Sequence, residues 1–159
     1  MGLLSFVDYE LYLRMYGDGM VFEDYDRLSY RACRILDAAT TGVDGYSKLS
    51  GRDAVNKEGA ESVRRCVAEL TDALGKIESA AKHFAFGGDN GLTVASVSAG
   101  NESVSYRSPA DSGNVWARAA ADPELAAKLL GGIVNEYLIG VRDRNGIPLL
   151  YMGRYRRHG

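Results

Sequence analysis

Apolar side chains recur every three or four positions along most of the chain, which is the spacing that places them on one face of an α-helix. In the first such stretch they are Phe6, Tyr9, Leu13 and Tyr16. The pattern returns in three longer stretches, and a further short segment between turns also suits a helix. The predicted helices cover about residues 5–16, 22–40, 53–83, 115–121 and 123–139.

Residues that favour helix ends mark several of these boundaries. Ser5 and Asp8 have the spacing of a capping box, with aspartate in place of the usual glutamate. Asp122 suits an N-cap, and Pro123 after it suits the first helical turn. Gly131-Gly132 inside the last helix either weaken it or allow a neighbouring helix to approach closely. The breaks between helices fall at glycine-containing segments, namely 17–19, 42–51, 87–91 and 140.

Two segments do not follow the helical period. Residues 92–98 and 102–107 carry alternating valines and polar residues around Gly100-Asn101, which predicts a β-hairpin at about 92–107. A single hairpin is stable only when it packs on helices or pairs with another chain. The apolar residues after 146 lack any helical spacing and predict an extended C-terminal arm. The fold class is therefore mainly α: a bundle of four to five helices over 1–146, with one hairpin, followed by an arm over 147–159.

The composition is that of one globular domain, with 159 residues, 46% apolar and 25% charged. A net charge of −2 argues against nucleic-acid binding by the domain as a whole. The charge is uneven, however, because residues 1–26 carry −5 and residues 141–159 carry +4. Two interpretations remain open: two solvated surfaces, or a basic end that meets an acidic protein or nucleic acid. Neither a membrane span nor a secretory signal is expected.

Residues suited to catalysis are few. His83 lies near a predicted helix end, where a cation is ordinary, and His158 is the penultimate residue. Cys33 and Cys66 fall on apolar helix faces and are expected to pack in the core. The chain has no phosphate-binding glycine motif, nucleophile elbow or metal-ligand spacing. We therefore expect no catalytic, cofactor-binding or metal-binding residues and no cofactor.

The positive signals concern surfaces. Five of the ten tyrosines lie in the first 30 residues, and tyrosine is common at protein interfaces. The alternative is that these tyrosines lie at the edge of the core of a monomer. The apolar arm and the basic tail after it suit strand addition to a partner.

Four segments together resemble the head–tail connector (adaptor, or head-completion) family of tailed bacteriophages and gene transfer agents. The opening resembles the family in Phe6-x-x-Tyr9, Gly17-x-Gly19 and Phe22-x-x-Tyr25-x-x-Leu28. The second helix does so in Tyr30-Arg31-Ala32-x-x-Ile35-Leu36-Asp37-x-x-Thr40. The hairpin does so in Glu102-Ser103-Val104-Ser105-Tyr106, and the ending in Tyr137-Leu138-x-Gly140 and Leu149-Leu150-Tyr151-x-Gly153. Met152 departs from the arginine of the family's ending, and the loop 140–148 is longer than in the family.

The resemblance implies a small helical bundle with a protruding hairpin and no catalytic residues. It implies a homo-oligomeric ring, typically twelvefold, in the virion at the head–tail interface, made in the host cytoplasm. The expected partners are the portal protein, the next tail or stopper protein, and DNA that passes through the channel without sequence-specific binding; no membrane is expected. The expected portal-binding residues are Leu149, Leu150, Tyr151, Arg154, Tyr155, Arg156 and Arg157, and the expected subunit-interface residues are Tyr12, Tyr16, Val104 and Tyr106.

Two other functions are consistent with the sequence. The first is a small DNA-binding module that uses the basic C-terminal tail, for which a steep salt dependence of DNA affinity would be diagnostic. The second is an enzyme of unrecognised type with His83 as its base, which full biological activity of His83→Ala would exclude.

Overall fold

The structure is a computed structural model that describes residues 6–49, 55–86, 93–97, 104–107 and 114–151, with the backbone alone for 84–86 and the two strands. The described residues form five α-helices and two short strands, so the prediction of a mainly helical chain is confirmed. In chain order the elements are α1 (Tyr9–Tyr16), α2 (Phe22–Thr40), α3 (Lys57–Phe86), β1 (Thr93–Val97), β2 (Val104–Arg107), α4 (Val115–Ala121) and α5 (Pro123–Leu138).

The first helix begins later than its apolar pattern predicts. Asp8 has extended backbone, and its carboxylate accepts a hydrogen bond of 3.0 Å from the Leu11 N–H, so Asp8 is the N-cap. Ser5, the predicted capping residue, lies outside the described residues. Gly17 ends the helix with φ of +72°, a left-handed conformation that glycine adopts without strain.

The third helix is displaced by a few residues at both ends from the predicted 53–83. It begins at Lys57 because the Asn56 side chain accepts a 2.7 Å hydrogen bond from the Gly59 N–H, which caps the first turn. A Cβ atom on Gly59 would lie 3.0 Å from Val141 Cγ1 and 3.2 Å from Val55 Cβ, so glycine permits close packing here. The helix ends at Phe86.

The two strands pair antiparallel, with Val94 opposite Tyr106 and Val97 opposite Val104. The pairing shifts register between Val94 and Ser96. Residues 98–103, which would form the turn, lie outside the described residues, so the protruding hairpin stays a prediction.

The chain divides into two compact units, Met1–Asp72 with Gly131–Gly159, and Ala73–Leu130. The boundary predicted between 146 and 147 falls inside the first unit. The second unit buries small residues of α4, and Lys76 Nζ lies 5.3 Å from the centre of the Trp116 ring. Fully buried side chains of the first unit include Leu28, Leu36, Leu49, Val63, Val67, Leu70, Leu138 and Leu149.

Candidate functional site

Helix α2 is followed by a tight turn at residues 41–47, which we call the first turn. The Gly42 N–H donates to Tyr46 O at 3.1 Å, and the Gly45 N–H donates to Gly42 O at 2.9 Å. Gly45 has φ of +77°, which explains why Asp44-Gly45 occupies the tip. Thr41 and Ser47 pair across its base.

Helix α5 is followed by a second turn, residues 142–148, with the same hydrogen bonds. The Asp143 N–H donates to Ile147 O at 2.8 Å, and the Gly146 N–H donates to Asp143 O at 2.9 Å. Gly146 has φ of +80°. The Asp143 carboxylate accepts from the N–H groups of Asn145 and Ile147 at 2.8 and 2.9 Å. Both segments were expected only as loops, although Asp44-Gly45 and Asn145-Gly146 are strong hairpin dipeptides that could have revealed their likeness.

Lys48 connects the two segments, each made of a helix and the turn that follows it. Its side chain is 3% exposed, and Nζ donates to Thr40 O at 3.3 Å, to Leu149 O at 3.2 Å, and to Tyr151 O. Thr40 is the last residue of α2, where helix carbonyls lack intrahelical donors and the dipole favours a cation. We call Lys48 and these three carbonyl groups the lysine clamp.

Burial dominates the electrostatics of the clamp. Desolvation lowers the pKa of the Lys48 ammonium from its ordinary value, and the carboxylates of Asp143 and Asp44 act in the opposite direction. Asp143 is itself 8% exposed. The lysine clamp is therefore a buried polar contact. The sequence indicates it only by a lysine next to an apolar residue.

An aromatic cluster formed by Tyr9, Tyr12, Tyr16, Phe22 and Tyr25 connects α1 to α2. The ring of Tyr25 lies 5.0 Å from those of Tyr9 and Tyr12, measured between centroids. The Tyr12 hydroxyl donates to Asp72 Oδ1 at 3.0 Å, and the Tyr25 hydroxyl donates to Asp8 O at 3.2 Å. Most of the N-terminal tyrosines thus serve internal packing.

This packing corrects part of the predicted subunit interface. Tyr12 is 1% exposed, so it is a core residue and its side chain is closed to a partner in this fold. Tyr16 is half-buried, and burial raises its pKa to about 12, with the carboxylates of Glu69 and Asp72 adding to the effect. Val104 and Tyr106 lie on β2, but their side chains are outside the described residues.

The predicted arm begins inside the first unit rather than free of it. Leu149 is fully buried, and its N–H donates to Val141 O at 3.0 Å, which corrects its assignment to a free portal-binding arm. Leu150 is half-buried, whereas Tyr151 is 51% exposed. The remaining predicted portal-binding residues, Arg154, Tyr155, Arg156 and Arg157, lie outside the described residues.

Large exposed apolar side chains gather at the ends of helices. Val21 and Phe22 open α2 and are 60% and 55% exposed. Val43 follows the end of α2, Ile139 follows the end of α5, and Tyr151 is a member of the lysine clamp. Their exposed fractions are 71%, 70% and 51%. These large exposed apolar side chains are candidates for an interaction surface.

The outer face of α2 carries charges in an ordered sequence. Glu23, Arg27, Tyr30 and Arg34 follow one another at spacings of four, three and four residues, and all four are exposed. The exposed Asp26 and Arg31 flank this stripe. Arg27 pairs with Asp24 at 3.2 Å, and Tyr30 is 58% exposed. The face is therefore acidic in its first turns and basic further along.

The candidates for catalysis have ordinary structural positions. Cys33 and Cys66 are buried, 5% and 0% exposed, which confirms the prediction that they pack in the core. Burial raises the pKa of their thiols to about 11 and about 12. His83 lies in the last turn of α3, and His158 is outside the described residues.

Neither a metal centre nor a membrane span is found in the described ranges. There, no group of three or more histidine, cysteine or acidic side chains could hold a metal ion. In the same residues, no helix combines the length and hydropathy of a membrane span.

Comparison of the chain with protein-family models, with curated proteins and with solved structures finds no match in any of the three.

Proposed function

We propose that this chain is a structural virion protein, a head–tail connector that forms a ring under the portal, joins the capsid to the tail and extends the DNA channel. The basis is the ordered set of motifs that resembles the connector family, taken together with the surfaces described above. Its partners are other copies of the chain in the ring, the portal protein and the next tail component. This role requires no catalytic residue or cofactor.

One observation carries the proposal: motifs from opposite parts of the chain meet at one place in the fold. The second-helix motif ends at Thr40, and the ending motif contains Leu149 and Tyr151. Lys48 Nζ donates to the carbonyl oxygens of all three. The two motifs therefore lie next to each other in the first unit, which supports their interpretation as parts of one pattern.

The exposed groups at this place suit docking to a larger assembly. Val43, Ile139 and Tyr151 offer apolar surface, and Arg142 and Arg144 in the second turn are exposed. The sequence after Tyr151 adds Arg154, Arg156 and Arg157. We assign portal docking to this end of the first unit, with Tyr151 and the arginines as contacts and Leu149 as their anchor.

Electron microscopy of the purified protein mixed with the portal of the same phage tests the proposal. We expect a ring of this chain at the narrow end of the portal. An otherwise folded Arg154→Glu, Arg156→Glu, Arg157→Glu variant should dock more weakly, and Lys128→Glu, which changes an exposed charge on α5, should dock normally. Portal particles without added density would contradict the proposal. A steep salt dependence of DNA binding by the isolated chain would instead favour a DNA-binding module.

A further inference from the structure

The outer face of α2 has two oppositely charged patches that a neighbouring copy could match. The acidic patch comprises Glu23 and Asp26, next to Phe22, which is 55% exposed. The basic patch comprises Arg31 and Arg34, next to Tyr30, which is 58% exposed. Each patch thus combines two like charges with a large exposed aromatic ring, and aromatic rings and arginine are enriched in protein interfaces.

The spacing keeps the two patches apart on one helix. Glu23 and Arg34 are eleven positions apart, about 16 Å along the helix axis, whereas Asp26 and Arg31 are five positions apart, about 7.5 Å. Glu23 and Arg34 are therefore largely screened from each other in physiological salt, and Asp26 and Arg31 only in part. In the described part of the chain, no ion pair involves Glu23, Asp26, Arg31 or Arg34.

We propose that the acidic patch of one copy of this chain lies against the basic patch of the next copy. The contact is heterologous because each copy offers its acidic patch to one neighbour and its basic patch to another, and a heterologous contact can close into a ring. The inference rests on the ring in the proposed function and names the surface that forms it. It takes the place of Tyr12, which is a core residue, in the predicted subunit interface.

The partner that binds the outer face of α2 is a second copy of the chain rather than DNA, because this face contains both signs of charge. A phosphate backbone would be attracted by Arg31 and Arg34 but repelled by Glu23 and Asp26 on the same helix. Two neighbouring copies satisfy the two patches, and complementary charges also fix the register of the contact.

Charge exchange tests the contact in the full chain. Sedimentation at concentrations up to about 1 mM detects association as weak as about −4 kcal/mol. We expect the unmodified chain to self-associate, and Arg31→Glu with Arg34→Glu to associate at least about tenfold more weakly, because like charges then face each other. Glu23→Lys with Asp26→Lys should behave likewise. Mixing the two variants, or combining all four changes in one chain, should restore association.

Matched controls separate charge effects from folding. Lys57→Glu with Lys128→Glu reverses two exposed cations outside α2 and should leave association unchanged. Circular dichroism should show equal helix content for all variants. If the unmodified chain stays monomeric at about 1 mM, or if the mixed variants do not recover, the inference is wrong. The inference is also wrong if DNA binding is lost in the Arg31→Glu, Arg34→Glu variant and stays lost when all four changes are combined. The basic patch would then be a DNA-binding site.

The outcome is distinct from that of the portal experiment. Rescued association that stops at dimers, or that occurs without docking to the portal, would support the α2 contact while contradicting the connector function. Rings at the portal that tolerate the arginine reversals would support the connector function while overturning the α2 contact.

Discussion

The Nζ atom of Lys48 donates a hydrogen bond of 3.2 Å to the carbonyl oxygen of Leu149, a residue 101 positions later in the chain. The same atom reaches Thr40 O and Tyr151 O, so one side chain completes the end of α2 and fixes the segment after the second turn. The position of residues 149–151 within the first unit therefore depends on a residue in the first third of the chain.

Replacing Lys48 with methionine should destabilise the protein. Methionine keeps the length of the apolar stem but leaves the three carbonyl groups without their shared donor. Loss of a buried polar partner usually costs about 2–4 kcal/mol, and we expect a decrease of that size in the free energy of unfolding. Urea denaturation followed by circular dichroism measures it. Lys128→Met, at an exposed position on α5, is the control and should change stability by less than about 0.5 kcal/mol. Equal stabilities of the two variants would show that the lysine clamp is dispensable.

Alanine should have opposite effects at two glycines of the first unit. Gly146 has φ of +80°, where a Cβ atom is strained, and Gly146→Ala should destabilise by about 1–2 kcal/mol. Gly132 lies inside α5 with open space where a Cβ atom would lie, so Gly132→Ala should stabilise by about 0.5–1 kcal/mol. Thermal denaturation of both variants gives the signs. A stabilising Gly146→Ala would mean that the second turn has a different backbone in solution.

Substitutions at Leu149 and Tyr151 should have different effects, one on the stability of the fold and the other on docking to the portal. Leu149 is fully buried, and Leu149→Ala should lower the free energy of unfolding by about 2–5 kcal/mol. Tyr151 is 51% exposed, so Tyr151→Ala should leave stability nearly unchanged and weaken binding to the portal. Denaturation and co-sedimentation with portal particles measure the two effects. Normal portal binding by a folded Tyr151→Ala variant would remove that residue from the docking surface.

Stability should fall in alkaline solution. Burial raises the pKa of Tyr25 to about 12 from its ordinary 10.0, and that of Cys66 to about 12 from 9.0. The unfolded chain therefore loses these protons first, so the stabilisation is complete below about pH 9 and is lost as pH rises toward 12. Urea midpoints between pH 7 and 11 should decline, and less steeply in Tyr25→Phe. A flat profile for the unmodified chain would show that these groups ionise freely in the folded protein.

Periodicity was sufficient to predict α2, at 22–40, because its apolar face is regular. The position of α4, at 115–121, followed instead from the turn signals on either side of it. Periodicity failed at the start of α1, where Asp8 rather than Ser5 caps the helix. Both residues have capping side chains, and the choice depends on which backbone is extended. Spacing along the chain does not contain that information.

The candidate sites were harder to predict because they depend on contacts between distant segments. Tyr12 lies on the same helix as the half-buried Tyr16, and only the position of Asp72 on α3 shows that the Tyr12 hydroxyl points inward. Lys48 has no sequence neighbour that identifies a clamp, since its acceptors are backbone carbonyls, which every residue type carries. Exposed charges on α2, by contrast, follow directly from the helical period.

The lysine clamp also bears on the order of events during synthesis. Because chains are made from the N-terminus, α1, α2 and the first turn emerge long before Leu149 and Tyr151 exist. Until then the Lys48 ammonium lacks two of its three acceptors, and the apolar surface that later covers Leu149 stays open to solvent. The first unit can therefore reach its final structure only after residues 149–151 have been made, so a truncated product would retain helices but an unclosed core.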